Sequence, residues 1–93
     1  MIKMLYDFKV SDSSKHVWYM SVFLYKSYHC VTVTSPKWID YGFMWRDGEL
    51  IAVSARGKMF RTDEKFHSFR EVFSLIPVWI LKKIDLYYKV HIE

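Results

Sequence analysis

The sequence predicts an α+β fold: an antiparallel sheet of about six strands, twisted or partly closed, with one main helix near the C-terminus. Three observations carry this expectation. Aromatic and β-branched residues dominate the first third of the chain, Asp47-Gly48 separates two strand-like runs, and beyond Thr62 the apolar spacing lengthens to that of a helix.

At 2–10, Ile2, Met4, Tyr6, Phe8 and Val10 alternate with Lys3, Asp7 and Lys9, and only Leu5 breaks the pattern, as expected of a half-buried strand. After the polar stretch 11–15, residues 17–25 are almost continuously apolar, which predicts a central strand covered on both faces. Residues 28–34 continue in the same style, with a turn near Lys26-Ser27 that lacks glycine.

Asp-Gly favours a two-residue type I′ turn because both central residues need positive φ, so 38–55 reads as a hairpin around Asp47-Gly48. Arg56-Gly57 then returns the chain through 58–61, completing a meander. Thr62 or Asp63 suits a helix cap, and Phe66, Phe69, Val72, Phe73 and Ile76 form one apolar stripe, predicting a helix over 63–76 that stops before Pro77. A short second helix is expected over 77–83. The tail 84–92 alternates Ile84, Leu86, Tyr88, Val90 and Ile92 with polar residues, which reads as a closing edge strand.

With 93 residues, 52% hydrophobic and 26% charged, positions 1–93 are expected to form a single domain. The single cysteine, Cys30, cannot make an internal disulfide, and the first residues lack the apolar core of a signal peptide, so the expected setting is intracellular. The longest largely apolar run, 72–81, is interrupted by Pro77 and reaches about half of the ~20 residues a membrane span needs. No membrane association is expected.

The chain contains no Asn and no Gln, while aromatic residues make up 19%. Bidentate amide readout of adenine is therefore excluded, as is a side-chain amide that holds an oxyanion. Recognition falls to rings, hydroxyls and charges. The net charge of +4 points toward nucleic acid or an acidic protein surface as partner.

Register sorts the meander by face. With Asp47-Gly48 as the loop, Arg46 pairs with Glu49, Trp45 with Leu50, Met44 with Ile51, Phe43 with Ala52 and Tyr41 with Ser54. With Arg56-Gly57 as the next loop, Ala55 pairs with Lys58, Ser54 with Met59, Val53 with Phe60 and Ala52 with Arg61. One face, Met44, Ile51, Val53 and Phe60, reads as core. The other carries Tyr41, Phe43, Trp45, Met59 and Arg61, the ingredients of a platform on which single-stranded bases stack. The competing expectation is that the phenylalanines of 63–76 bury these same rings.

Arg56, Lys58 and Arg61 surround Gly57 with no acid among them, so this tip suits phosphate, and Arg46 adds a guanidinium at the far end of the hairpin. The candidate binding residues are thus Tyr41, Phe43, Trp45, Arg46, Arg56, Lys58 and Arg61. His16, His29, His67 and His91 lack zinc-ligand spacing, so neither a metal nor another cofactor is expected. Adjacent residues of a strand point to opposite faces, which separates His29 from Cys30 as a base and nucleophile.

The segment 47–58, Asp-Gly-Glu-Leu-Ile-Ala-Val-Ser-Ala-Arg-Gly-Lys, resembles the late hairpin of RelE-type messenger-RNA-cleaving toxins. That family begins with a helical hairpin, whereas this chain places strands first, so no catalytic residue is carried across. The leading expectation is a small, basic, non-catalytic protein that contacts RNA or single-stranded nucleic acid. The alternatives are a virus- or phage-type accessory protein that inhibits a host protein, compatible with a homodimer, and a metal-independent ribonuclease using His29, His67 or a Tyr beside Arg56 or Arg61.

Overall fold

The computed structural model describes residues 2–11, 16–59 and 70–93. Strands β1 (Ile2–Ser11), β2 (Val17–Tyr25), β3 (Tyr28–Thr34), β4 (Asp40–Arg46), β5 (Glu49–Ala55) and β6 (Lys58–Met59) form one antiparallel sheet in sequential order, β1-β2-β3-β4-β5-β6. The sheet is open, with β1 and β6 as its edges. Two helices follow, the short α1 (Arg70–Ser74) and the main C-terminal helix α2 (Val78–His91).

Short turns explain the meander. Asp47 and Gly48 have φ of 53° and 78°, and Arg56 and Gly57 have 54° and 79°, the positive pair that a type I′ turn requires. The β2–β3 turn is made without glycine by placing Lys26 at φ 55°. Leu5, the break in the alternation of β1, sits where the register with β2 shifts between Met4 and Tyr6. A second shift between Gly42 and Phe43 pairs Tyr41 with Ala55 rather than Ser54, while the pairings from Phe43 to Arg46 follow the expected register.

One face of the sheet holds the core. Trp18, Met20, Val22, Val31, Val33, Tyr41, Phe43, Trp45 and Ala52 pack there with Val72, Ile76, Ile80 and Ile84 of the helical segment. No described element covers the face expected to be core: Met44 and Ile51 lie there half-buried, beside Tyr19, Ser21, Phe23 and Thr32. Among the described residues β2 is therefore covered on one face, and its burial alternates accordingly.

The tail corrects the expected edge strand, because 84–92 belongs to α2 and the residue after it. Its sequence carries both periods. The strand-like alternation competes with Ile80, Ile84 and Tyr88 at four-residue spacing, and no turn residue divides 78 from 91. Helix prevails since its stripe buries Ile80 and Ile84 fully against the sheet, and Asp85 and Lys89 add an i,i+4 ion pair at 3.1 Å on the outer surface. Pro77, at φ −57° and ψ 144°, caps the start of a helix longer than the expected 77–83 segment. Of the helix expected over 63–76, α1 represents 70–74, and 63–69 lie outside the described residues.

Candidate nucleic-acid interface

The rings of the expected platform are covered. Tyr41, Phe43 and Trp45 are 4%, 0% and 7% exposed. Phe73 packs on Phe43 with centroids 5.3 Å apart, and Tyr88 stacks on Trp45 at 5.4 Å. A sheet face of large rings must be buried by some element, and here the helices that follow the meander cover it. These residues stand in the core rather than on an open platform.

The basic residues of the candidate set are not brought together. Arg46 ends β4 on the uncovered face, in register with Glu49, beside the Asp47-Gly48 turn. Arg56 and Lys58 are exposed at the opposite end of the sheet, about 20 Å away along a seven-residue strand. Arg61 lies outside the described residues, as does His67. His29 is the second residue of β3, at the end remote from Arg56, so that pair of a ribonuclease constellation is not assembled.

A different aromatic group is presented to solvent. Trp38 is 72% exposed and has φ 62°, a left-handed conformation unusual for a bulky residue. The 35–39 turn braces it. Trp38 N donates to Ser35 O at 2.9 Å, Ser35 N donates to Ile39 O at 2.9 Å, and Ser35 Oγ accepts from Lys37 N and Ile39 N, each at 3.2 Å. These bonds hold the indole over Tyr19, with centroids 5.4 Å apart and planes 18° from parallel. From the β1 side, Lys9 Nζ stands 5.8 Å from the centroid of the Tyr19 ring. The uncovered face thus ends in a ladder of Lys9, Tyr19 and Trp38.

Cations gather at this end. Lys37 is in the turn, Lys9 is in the ladder, and Arg56 and Lys58 flank the adjacent hairpin tip, which is tied to β4 by Arg56 N donating to Asp40 O at 2.9 Å. Among the described residues the nearby acid is Asp40, engaged by Thr34, whose Oγ1 donates to Oδ1 at 2.7 Å. The opposite end balances Lys26 and Arg46 with Asp47 and Glu49.

Two clefts flank the 35–39 turn. One of about 260 Å³ opens on the uncovered face between Trp38, Tyr19 and Val17. The other, of about 360 Å³, lies between the turn and the helical side and is walled by Trp18, Tyr41, Trp79 and Leu75. Elsewhere, burial raises the Cys30 thiol above its ordinary value, which keeps it protonated and weakly nucleophilic. Among the described residues no cluster of His, Cys, Asp and Glu is placed to hold a metal ion, and no described helix is long and apolar enough to cross a membrane.

Sequence reasoning passed over Trp38, Tyr19 and Lys9. The signal was present in Ser35-Pro36-Lys37-Trp38, a turn sequence that spends a tryptophan outside any apolar run. Comparison with protein families, with curated proteins and with solved structures finds no match to this chain.

Proposed function

We propose that the protein is a small basic binding protein that takes single-stranded nucleic acid, RNA or DNA, at the end of the sheet marked by Trp38, without catalysis. The observation that carries this reading is the ladder of Lys9, Tyr19 and Trp38, in which an exposed indole is held outward in a conformation that costs about 1–3 kcal/mol. Such strain persists only where surrounding bonds determine it, and the Ser35 hydrogen bonds do so.

A base laid on the free side of Trp38 extends the stack that Tyr19 begins, a contact worth roughly 1–3 kcal/mol per base. Lys9, Lys37, Arg56 and Lys58 supply positive charge for the phosphates on the same end of the sheet. Since the chain has no side-chain amide, bidentate readout of adenine is absent and recognition rests on ring faces, hydroxyls and charge.

Tryptophan emission titrated with mixed single-stranded RNA at low and at moderate salt tests the proposal. Quenching that weakens as salt rises is the expected result. Unchanged emission at both salts rejects the reading and leaves a protein target, which exposed aromatic and basic residues also fit.

A further inference from the structure

We infer that the cleft on the helical side of the 35–39 turn is a second base site, so that the protein grips two successive nucleotides of a single strand. This rests on the proposed reading of Trp38. The two clefts are neighbours: His16, Ser35 and Pro36 line both, so a strand leaving Trp38 reaches the second cleft by passing over one proline ridge.

The second cleft suits a flat aromatic ligand. The half-buried Trp79 and Pro77 and the exposed Leu75 line it, with the buried Trp18 and Tyr41 behind them, and its volume of about 360 Å³ falls within the roughly 300–1,000 Å³ of small-ligand sites. Lys37 borders it from the turn between the two sites, where the linking phosphate would pass. Among the described residues neither cleft is lined by an Asp or Glu, which suits an anionic strand better than a basic peptide.

The experiment measures the affinity of uridine monophosphate, the uridine dinucleotide and an octamer for the wild type, Leu75→Trp, Trp79→Ala and Trp38→Ala. Leu75 is 47% exposed at the cleft mouth, so a larger side chain there obstructs the cleft from its solvent side, and thermal unfolding verifies that each variant folds. The expected result is a gain of about tenfold from mononucleotide to dinucleotide in the wild type, abolished by both Leu75→Trp and Trp79→Ala. If that gain is absent, or survives in Leu75→Trp, while Trp38→Ala still weakens the octamer, the second site is refuted and the Trp38 reading stands. If Trp38→Ala binds the octamer as the wild type does, or no oligonucleotide binds at all, the underlying reading itself fails.

Discussion

Trp45 of β4 and Tyr88 of α2 stack with ring centroids 5.4 Å apart and planes 26° from parallel. This contact joins the centre of the meander to the tail and fixes Trp45 as part of the core. Trp45→Ala is therefore expected to destabilise the fold by about 3–5 kcal/mol, as large-to-small changes at buried aromatic sites do. Denaturant unfolding measures it, and a loss below about 1 kcal/mol would contradict the packing described.

Gly42 and Ser54 face each other across β4 and β5 beside the register shift. A Cβ on Gly42 would collide with Ser54 Oγ, whereas Ser54 Cβ would sit at an ordinary 3.5 Å. Rotation of the Ser54 hydroxyl relieves most of the clash, so Gly42→Ala should cost less than about 1 kcal/mol. Adding Ser54→Ala should recover most of that loss, and a double-mutant cycle with no coupling would show that the two residues do not oppose each other.

Arg56 and Lys58 stand at the sheet end that carries Trp38. If each meets a phosphate, replacing both by Ala should weaken single-strand binding across all sequences alike. The slope of log affinity against log salt should become shallower by about 1.4, from ~0.7 per phosphate contact. Affinity measured over a salt series for the wild type and the double variant gives the comparison, and equal slopes would remove these residues from the interface.

Tyr87 packs between Tyr6 and His91, with centroids 5.3 Å and 4.6 Å away. Burial, with a further contribution from the charge of the Tyr6 phenolate, raises the Tyr87 hydroxyl above its ordinary value. As pH climbs past about 10, the unfolded chain releases this proton first, so the stability present below that pH is lost as pH rises through the raised folded value. Urea unfolding at rising alkaline pH should show the wild type losing stability faster than Tyr87→Phe. Parallel curves would contradict the assignment.

The meander was legible because its turns are chemical signals: Asp47-Gly48 and Arg56-Gly57 fix both the hairpins and much of the register. The tail was not, since 84–92 satisfies strand and helix periods together, and the tertiary burial of Ile80 and Ile84 decides between them. Choosing which sheet face is covered likewise depends on where the helices dock, so Tyr41, Phe43 and Trp45 read as platform or core, with core the commoner fate of such a row. The Lys9, Tyr19 and Trp38 ladder needed the β1–β2 register and a tryptophan at positive φ, neither of which a local pattern declares.

The central claim is that the exposed Trp38, rather than an open platform of Tyr41, Phe43 and Trp45, is the primary contact for the nucleic acid. The direct test is fluorescence anisotropy of labelled mixed single-stranded RNA titrated with the wild type and with Trp38→Ala. The account predicts an affinity lower by about tenfold in the variant at unchanged thermal stability. Equal affinity in the two proteins would contradict it.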